Sequence, residues 1–372
     1  MTGPRQPEHA KVTRRQVLAA GAAAATWLVS GGPAGAGACT GVCTTEADAG
    51  TLRAAACRRG RAFGSGVATG ELANPEYADL VARQCAVVVP TWEMKWGQVH
   101  KAPDVFDFGS CDRLVAFARV NGLGVRGHTL VWHRNHPEWL PARLAGGGWR
   151  DILASHVATL CGRYRHAVCS WDVVNEAVEP EDGRSDGLRD SFWLKAAGFG
   201  YLRTAYELAA EYAPEAELVY NDYGCEGDAR WNHRRRSAVL HLLERLKKAG
   251  VRVDALGMQS HLRVGDAFST RSLGRFLADL ADLGVKPIVT ELEVRGDRIR
   301  GVHDKDRAVA ALYRDYLETV LTRSNCDSVV TWGLSDRHSW RLDEDPTDRP
   351  LPFDSTLRAK PAYEALLAVF GK

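Results

Sequence analysis

The sequence predicts an α/β protein formed by a single (β/α)8 TIM barrel. After residue 51, short β-branched runs alternate with longer amphipathic stretches, a pattern typical of repeated βα units. The pattern contains eight strands with eight intervening or closing helices, which is the number in a (β/α)8 barrel. A doubly wound sheet is the rival fold, although no Gly-rich phosphate-binding loop follows the first strand. Periodicity alone leaves both folds open.

The predicted strands are short apolar runs that end at turn-forming or polar residues. The second run stops at Pro90, which has no N–H to donate to a neighbouring strand. In chain order the predicted strands are Ala62–Thr69, Ala86–Val89, a third that ends at His128, Ser170–Val174, Leu218–Asn221, Ala255–Ser260, Pro287–Thr290 and Ser328–Trp332.

The predicted helices are the longer amphipathic segments between these strands. The last one begins at Pro361, and proline is favoured in the first turn of a helix. The helices with the clearest periodicity are Glu76–Gln84, Asp112–Asn121, Asp151–Tyr164, Phe192–Tyr212, Arg230–Ala249 and Pro361–Phe370.

The composition is that of an ordinary globular protein, with 45% hydrophobic and 25% charged residues. A chain of 372 residues is long enough for one large domain or two modest ones. Four basic residues and one acidic residue lie in residues 1–38, so the remainder has 44 basic and 45 acidic side chains. This balance argues against a nucleic-acid or anionic-membrane partner. We expect a monomer.

The N-terminus has the features of an export signal. Arg14-Arg15 precedes an apolar, Ala-rich run over Val17–Val29, and small residues follow at Ala34–Ala38, which together fit a twin-arginine signal. The alternative is a basic, Ala-rich disordered tail. We therefore predict an export signal over residues 1–38, a lead-in over 39–60, a barrel over 61–372, and a secreted protein. No later segment is apolar and long enough for a membrane span.

The nine cysteines suit an exported protein with some disulfides, but their pairing cannot be deduced from the sequence. Cys39 follows the small residues and is a weak candidate for a lipid anchor. The leucine usual three residues before such a site is replaced by Ala36.

Two glutamates stand at the ends of predicted strands. Glu176 follows the fourth strand and Glu291 follows the seventh. The carboxyl ends of the strands of a parallel barrel meet at one mouth, so these side chains are expected to face each other. Paired carboxylates are the groups that cleave glycosidic bonds. A single strand-end glutamate is more often a salt-bridge partner, so the pattern alone predicts only a barrel hydrolase that acts on sugars.

Further polar and aromatic residues recur at the other strand ends, and in several places whole motifs can be recognised. The motifs are Gly127-His128-Thr129-Leu130-Val131-Trp132-His133, Trp171-Asp172-Val173-Val174-Asn175-Glu176-Ala177, Tyr220-Asn221-Asp222-Tyr223, Gln259-Ser260-His261-Leu262, Thr290-Glu291-Leu292 and Thr331-Trp332-Gly333-Leu334-Ser335-Asp336. Together, and in this order, they resemble the motif set of family 10 glycoside hydrolases. These are retaining endo-β-1,4-xylanases on a (β/α)8 barrel, and the resemblance extends from Phe63 to Phe370.

The resemblance implies a role for each of these site residues. Glu176 is expected to be the general acid/base and Glu291 the nucleophile, with His261 orienting Glu291 and Glu293 supporting His261. Xylan or another β-linked glycoside is the expected partner, with no cofactor and no metal. The residues expected to bind the sugar are Lys95, His128, Trp132, Asn175, Gln259, His261, Trp332 and Trp340.

The implied roles agree with the chemistry of retention. Retaining enzymes hold their two carboxyl groups roughly 5–5.5 Å apart, so that one attacks the anomeric carbon while the other protonates the leaving oxygen. At that distance two carboxylates repel each other, which helps one of them to keep its proton.

The sequence departs from the family pattern in the loop after the second strand. The Glu-Asn pair that binds the sugar two places from the cut is replaced by Thr91-Trp92. Trp92 either narrows this subsite or packs aside and weakens binding. The alternative function is therefore a retaining β-glycosidase that acts on short or decorated glycosides, such as saponin glycans. A non-hydrolytic carbohydrate-binding protein is the third hypothesis.

Two other positions depart from the pattern. Glu293 replaces the usual Asp, so one extra methylene could shift His261. Cys326 stands at a family disulfide position whose partner position is Val320, so any disulfides are expected to be this chain's own.

Overall fold

The protein is described by a computed structural model, which covers Cys39 and residues 50–372. Eight parallel strands form a closed barrel, because each strand pairs with the next and the last pairs with both the first and the seventh. This confirms the predicted (β/α)8 barrel. The strands β1 to β8 are Ala62–Val67, Val87–Pro90, Gly124–Val131, Val168–Asn175, Glu217–Asp222, Ala255–Met258, Lys286–Arg295 and Ser328–Thr331.

Helices follow the strands and pack around the outside of the barrel. In the helix Arg230–Lys248 the buried residues Val239, Leu242, Leu243 and Leu246 recur at three- and four-residue spacing, which places them on one face. Burying each such side chain contributes about 1.5–3 kcal/mol. The α-helices are Leu52–Cys57, Pro75–Gln84, Trp96–Val99, Gly109–Val120, Trp139–Ala145, Trp149–Tyr164, Phe192–Ala197, Gly200–Tyr212, Arg230–Lys248, Thr270–Asp282, Val302–Arg323 and Pro361–Gly371.

One predicted helix is wrong as drawn, because the segment Phe192–Tyr212 forms two helices. Gly198 has a φ of 56°, a left-handed conformation that ends the helix Phe192–Ala197. The second helix begins at Gly200. Amphipathic periodicity continues across this break, so it does not reveal the turn.

The seventh strand is longer than predicted. It continues to Arg295 because its second half pairs with a short strand, His261–Arg263. Glu291 therefore lies within β7, and not after it. β6 ends at Met258, two residues earlier than predicted.

The interior of the barrel is partly charged. The guanidinium of Arg126 on β3 is almost fully buried; it forms an ion pair with Asp172 on β4 and donates to Ser170 Oγ at 2.7 Å. Paired and hydrogen-bonded charges are the form in which a buried arginine is tolerated.

The N-terminal end of the barrel is tied to the lead-in by a disulfide. Cys39 is bonded to Cys169 at the beginning of β4, and it is buried beside Ala62 and Ala86. Its sulfur is therefore not free to carry a lipid in this structure. Cys57 is also disulfide-bonded. The free cysteines of the described residues are all buried: Cys85, Cys111, Cys161, Cys225 and Cys326.

The predicted export signal, residues 1–38, lies outside the described residues. Among residues 50–372, no helix combines the length and the apolar composition that a membrane crossing requires.

Candidate active site

The glutamate pair, Glu176 and Glu291, stands at the carboxyl-end mouth of the barrel. Glu176 directly follows β4 and has a φ of 56°, in the left-handed region that non-glycine residues seldom adopt. Its N–H donates to Asn221 O at 2.9 Å, and its carbonyl accepts from Arg189 Nε at 2.8 Å. These two bonds fix the strained turn. Such strain persists where the surroundings determine the conformation, often at functional sites.

Strand register sets the layer beneath the glutamates. Asn175 on β4 pairs with Asn221 on β5, which in turn pairs with Gly257 on β6. The side-chain amides of Asn175 and Asn221 lie 2.9 Å apart. A Cβ at Gly257 would lie 2.3 Å from Asn221 Oδ1, so only glycine leaves room for this amide.

Asn221 connects this layer to Glu291. It is fully buried, its Oδ1 accepts from Thr290 Oγ1 at 2.7 Å, and its Nδ2 donates to Glu291 Oε1 at 2.7 Å. The threonine thus fixes which end of the amide faces Glu291. The carboxylate of Glu291 receives an oriented donor from a side chain that cannot rotate freely.

Glu291 is buried yet held in its charged form. Burial alone would raise its pKa, but the hydrogen bond and positive charge of His261 and the amide of Asn221 lower the pKa to about 2. The distance from His261 Nε2 to Glu291 Oε2 is 3.3 Å. A carboxylate that stays ionised at neutral pH is available as a nucleophile.

His261 is held between Glu291 and Glu293. Its Nδ1 lies 2.9 Å from Glu293 Oε1, and the two carboxylates raise the pKa of His261 to about 10 against the opposing effect of burial. Glu293 also accepts from Trp340 Nε1 at 3.0 Å and from Arg341 Nε at 2.7 Å. Glu293 is one methylene longer than the aspartate usual in the family, but it still contacts the imidazole of His261.

Glu176 is held by neutral donors. Trp132 Nε1 donates to Oε2 at 3.0 Å, and Gln259 Nε2 donates to Oε1 at 3.0 Å. Gln259 Nε2 also lies 3.4 Å from Asn175 Oδ1, so the same side chain contacts both Glu176 and Asn175.

Lys95 lies in the mouth between two indole rings. Its Nζ is 5.4 Å from the ring centroid of Trp92 and 4.9 Å from that of Trp132, both within cation–π distance. Burial lowers the pKa of Lys95, and the negative charges of Glu291 and Glu176 oppose this effect. Trp92 does not pack into the core, since half of its surface is exposed.

His128 and Trp332 lie on the same side of the mouth as Lys95. His128 Nδ1 is 2.9 Å from Asp172 Oδ2, and its ring centroid is 5.5 Å from that of Trp332. Asp172 thereby connects His128 to the buried Arg126 inside the barrel. Trp340 lies beside His261, with ring centroids 5.8 Å apart.

All of the site residues predicted from the sequence lie at this end of the barrel. The supporting roles of Asn221, Asp172, Arg189 and Arg341 were not predicted. Asn221 stands at a strand end in the sequence, but its contact with Glu291 depends on the register of β4 and β5, which periodicity does not provide.

A cavity of about 210 Å³ lies beside His261. Its lining includes Gly224, Trp231, Arg263 and Phe268. Trp231 is 42% exposed, so an indole is presented here too.

Within residues 50–372, no three histidine, cysteine, aspartate or glutamate side chains are grouped so that they could hold a metal ion.

Known proteins resemble this chain over almost all of its described length. Endo-1,4-beta-xylanase 3 of Hypocrea jecorina is 32% identical over 307 residues, which cover 82% of this chain and 82% of that enzyme. Beta-1,4-xylanase of Dictyoglomus thermophilum is 33% identical over 317 residues, 81% of this chain and 86% of that enzyme.

Solved structures of xylanases also resemble this chain. Native xylanase 10B from Thermotoga maritima superposes with a TM-score of 0.79 at 29% identity, covering 86% of this chain and 98% of that one. Xylanase 10B from Thermotoga petrophila RKU-1, in complex with xylobiose, gives a TM-score of 0.80 at 28% identity, with 86% and 97% covered. The sequence model of the glycosyl hydrolase family 10 matches residues 51–369 of this chain. The chain therefore belongs to glycosyl hydrolase family 10.

Proposed function

We propose that this protein is an endo-1,4-β-xylanase that hydrolyses internal bonds of xylan by double displacement. The observation that carries the proposal is the contrast between the two glutamates. Glu291 is buried and its pKa is lowered to about 2, whereas Glu176 is held by the neutral donors Trp132 and Gln259. Glu291 is suited to attack, and the proposal assigns proton transfer to Glu176, the second carboxyl group of the mouth.

In the first step, a carboxylate oxygen of Glu291 attacks the anomeric carbon from below the sugar ring. The bond from that carbon to the glycosidic oxygen breaks, and Glu176 gives its proton to the departing oxygen. His261 and Asn221 hold the attacking carboxylate in place through its two oxygens.

In the second step, Glu176 takes a proton from water as the water oxygen attacks the same carbon. The ester bond to Glu291 breaks, and the carboxylate regains its charge beside His261. Two inversions at one carbon leave the configuration of the sugar unchanged.

The surrounding residues suit a sugar chain. Asn175 lies beside both glutamates and can bind a sugar hydroxyl, while Lys95 and His128 can bind further hydroxyls on one side. Trp332 and Trp340 offer apolar ring faces to sugar C–H groups, each worth on the order of 1 kcal/mol by analogy with aromatic pairs.

The curated relatives support a polymer-cleaving activity. The relatives named above are xylanases that align over more than four fifths of this chain. The alternative, a β-glycosidase restricted to short or decorated glycosides, rests only on Thr91-Trp92 and is not favoured.

The proposal predicts different losses for Glu176→Gln and Glu291→Gln. Both variants should hydrolyse xylan about 10²–10⁴-fold more slowly, because each lacks a proton-transfer or nucleophilic group. On a 4-nitrophenyl β-xylobioside, Glu176→Gln should still release nitrophenol in a rapid first turnover, because this leaving group needs no proton. Glu291→Gln should show no such burst. Stopped-flow absorbance and product chromatography measure these rates.

Glu215→Gln is the matched control, since Glu215 is exposed and lies before β5, at the opposite end of the barrel. A near-normal rate on xylan for either active-site variant would contradict the assignment.

We further propose that the protein is exported. Arg14-Arg15 with the Ala-rich run that follows supports this, and so does the Cys39–Cys169 disulfide, because disulfides persist in oxidising compartments. Replacing both arginines with lysine in the full chain should retain the protein inside the cell. Unchanged export of that variant would exclude a twin-arginine signal.

A further inference from the structure

Trp92 is a large apolar side chain that the fold leaves in solvent at the mouth of the barrel. Half of its surface is exposed, although it follows the buried strand β2 by only two residues. An exposed indole has no role in the core. Its ring lies beside Lys95, at the mouth that holds the glutamate pair.

The backbone holds Trp92 in one place. The N–H of the preceding residue, Thr91, donates to Val67 O at 3.1 Å, and the N–H of Lys95 donates to Trp92 O at 3.2 Å. A Cβ at Gly66 would lie 2.8 Å from the Thr91 methyl and 3.0 Å from Trp332, so both side chains pack closely over this glycine. The ring is therefore presented by a fixed turn.

Lys95 connects Trp92 to the reacting groups. Its ammonium lies between the rings of Trp92 and Trp132, and Trp132 donates to Glu176 at 3.0 Å. Trp92 therefore lies one side chain further from Glu176 than Lys95 does. A sugar bound next to the glutamates would contact Lys95 and Trp132, and the next sugar would reach Trp92.

The turn offers few partners for sugar hydroxyls. Thr91 has one hydroxyl and Trp92 one N–H, and the carboxylate of Glu93 is buried, where it accepts from Thr69 N at 2.5 Å. The surface that remains is mainly the face of an indole, which binds the C–H groups of a sugar ring by dispersion and electrostatics.

We propose that Trp92 is the platform on which the second sugar from the cut stacks, and that this position accepts sugars whose hydroxyls carry acyl groups. A stacked sugar is held by its ring face. A site built to pair hydroxyls strongly rejects substrates that lack them, and a stacking face does not. This inference rests on the proposed function for the direction in which the sugar chain lies.

The first test compares two substrates that differ by one sugar. 4-Nitrophenyl β-xyloside places one sugar on the non-reducing side, and 4-nitrophenyl β-xylobioside places two. The ratio of their kcat/KM values measures the second position alone. Trp92→Ala should lower this ratio about five- to tenfold, mostly through KM, and Trp92→Phe should largely restore it.

Trp231→Ala is the matched control. It removes a second partly exposed indole, one that lines the cavity beside His261 and has no contact with Lys95, so it should leave the ratio unchanged even if both rates fall. An equal effect of Trp92→Ala on both substrates, or no effect, would overturn the proposed platform.

The second test uses a xylobioside with an O-acetyl group on its terminal sugar. The wild type should hydrolyse it within about threefold of the unmodified substrate. The double variant Thr91→Glu, Trp92→Asn, which introduces hydroxyl-pairing groups, should lose at least about tenfold. A comparable loss in the wild type would exclude acyl tolerance.

Failure of the stacking proposal can be distinguished from failure of the proposed function. If the wild type cleaves neither glycoside, the proposed function fails. In that case, stacking is tested by calorimetry, which measures the affinity of the wild type and of Trp92→Ala for xylotriose. Equal affinities would overturn the proposed platform.

Discussion

The charge on Glu291 depends on neighbours that are fixed by the fold. Its pKa of about 2 lies below the ordinary value of 4.5, so the group stabilises the folded state above pH 4.5. That contribution is lost as the pH falls from 4.5 towards 2, when the carboxylate takes up a proton. The same contacts that keep Glu291 ionised thus also stabilise the fold.

Asn221→Asp tests this arrangement with a near-isosteric change. A second carboxylate 2.7 Å from Glu291 would disfavour its charge and raise its pKa. We expect the acidic limb of the kcat/KM profile to move upward by about one to two pH units. The profile is measured with 4-nitrophenyl β-xylobioside.

Asn221→Ala is the companion variant, because it removes the donor without adding charge. It should lower kcat with a smaller displacement of the acidic limb. An unchanged acidic limb in Asn221→Asp would show that Asn221 does not set the charge of Glu291.

The sequence identifies the proposed catalytic glutamates better than the residues that support them. Glu176 and Glu291 are found because each directly follows a short apolar run in the sequence. Asn221 and Arg341 act through contacts with Glu291 and Glu293 that join distant parts of the chain. Such contacts depend on register and loop path, and one sequence does not specify them.

At the scale of elements, three neighbouring strands build the floor of the site. β4, β5 and β6 place Asn175, Asn221 and Gly257 side by side. The amide of Asn221 occupies the space that any side chain at Gly257 would need. A change at Gly257 should therefore reach Glu291 through Asn221.

Gly257→Ala should displace Asn221 and lower kcat on xylan by at least about tenfold. It should also destabilise the fold by about 1–3 kcal/mol, since extra volume in a packed interior forces side chains and backbone to move. Kinetics and urea unfolding measure the two effects.

Gly162→Ala provides the contrast, because this glycine lies in the helix Trp149–Tyr164 with no atom within 4 Å of an added Cβ. It should stabilise the protein by up to about 1 kcal/mol and leave kcat unchanged. Equal behaviour of the two variants would contradict the packing argument.

The elements themselves were largely predictable. Strands of apolar residues between helices of regular periodicity are strong local signals, and all eight strands lie where predicted within a few residues. The break at Gly198 and the extension of β7 to Arg295 were missed. The first depends on one backbone angle, and the second on pairing with His261–Arg263.

At the scale of the whole molecule, the glutamate pair and the disulfide lie at opposite ends of the barrel. The glutamate pair lies at the carboxyl ends of the strands, whereas Cys39–Cys169 ties the lead-in to the beginning of β4. The bond spans 130 residues of chain, so it restricts the unfolded state strongly. The motifs predicted the barrel, but a pairing across 130 residues has no local signal.

Replacing both Cys39 and Cys169 with serine should lower the free energy of unfolding by about 2–4 kcal/mol. Because the bond lies far from the mouth, kcat on xylan at 25 °C should stay within about twofold. Urea unfolding under non-reducing conditions gives the first quantity and steady-state kinetics the second. A double variant as stable as the wild type would show that the bond contributes nothing.

The central claim is that Glu291 forms a covalent bond to the sugar. A 2-deoxy-2-fluoro β-xylobioside with a good leaving group slows the second step, so the intermediate accumulates and can be weighed by mass spectrometry of the intact protein and its peptides. We predict one added disaccharide, attached to the peptide that contains Glu291, and none in Glu291→Gln. A label on another carboxylate, or continued turnover with no label at all, would contradict the account.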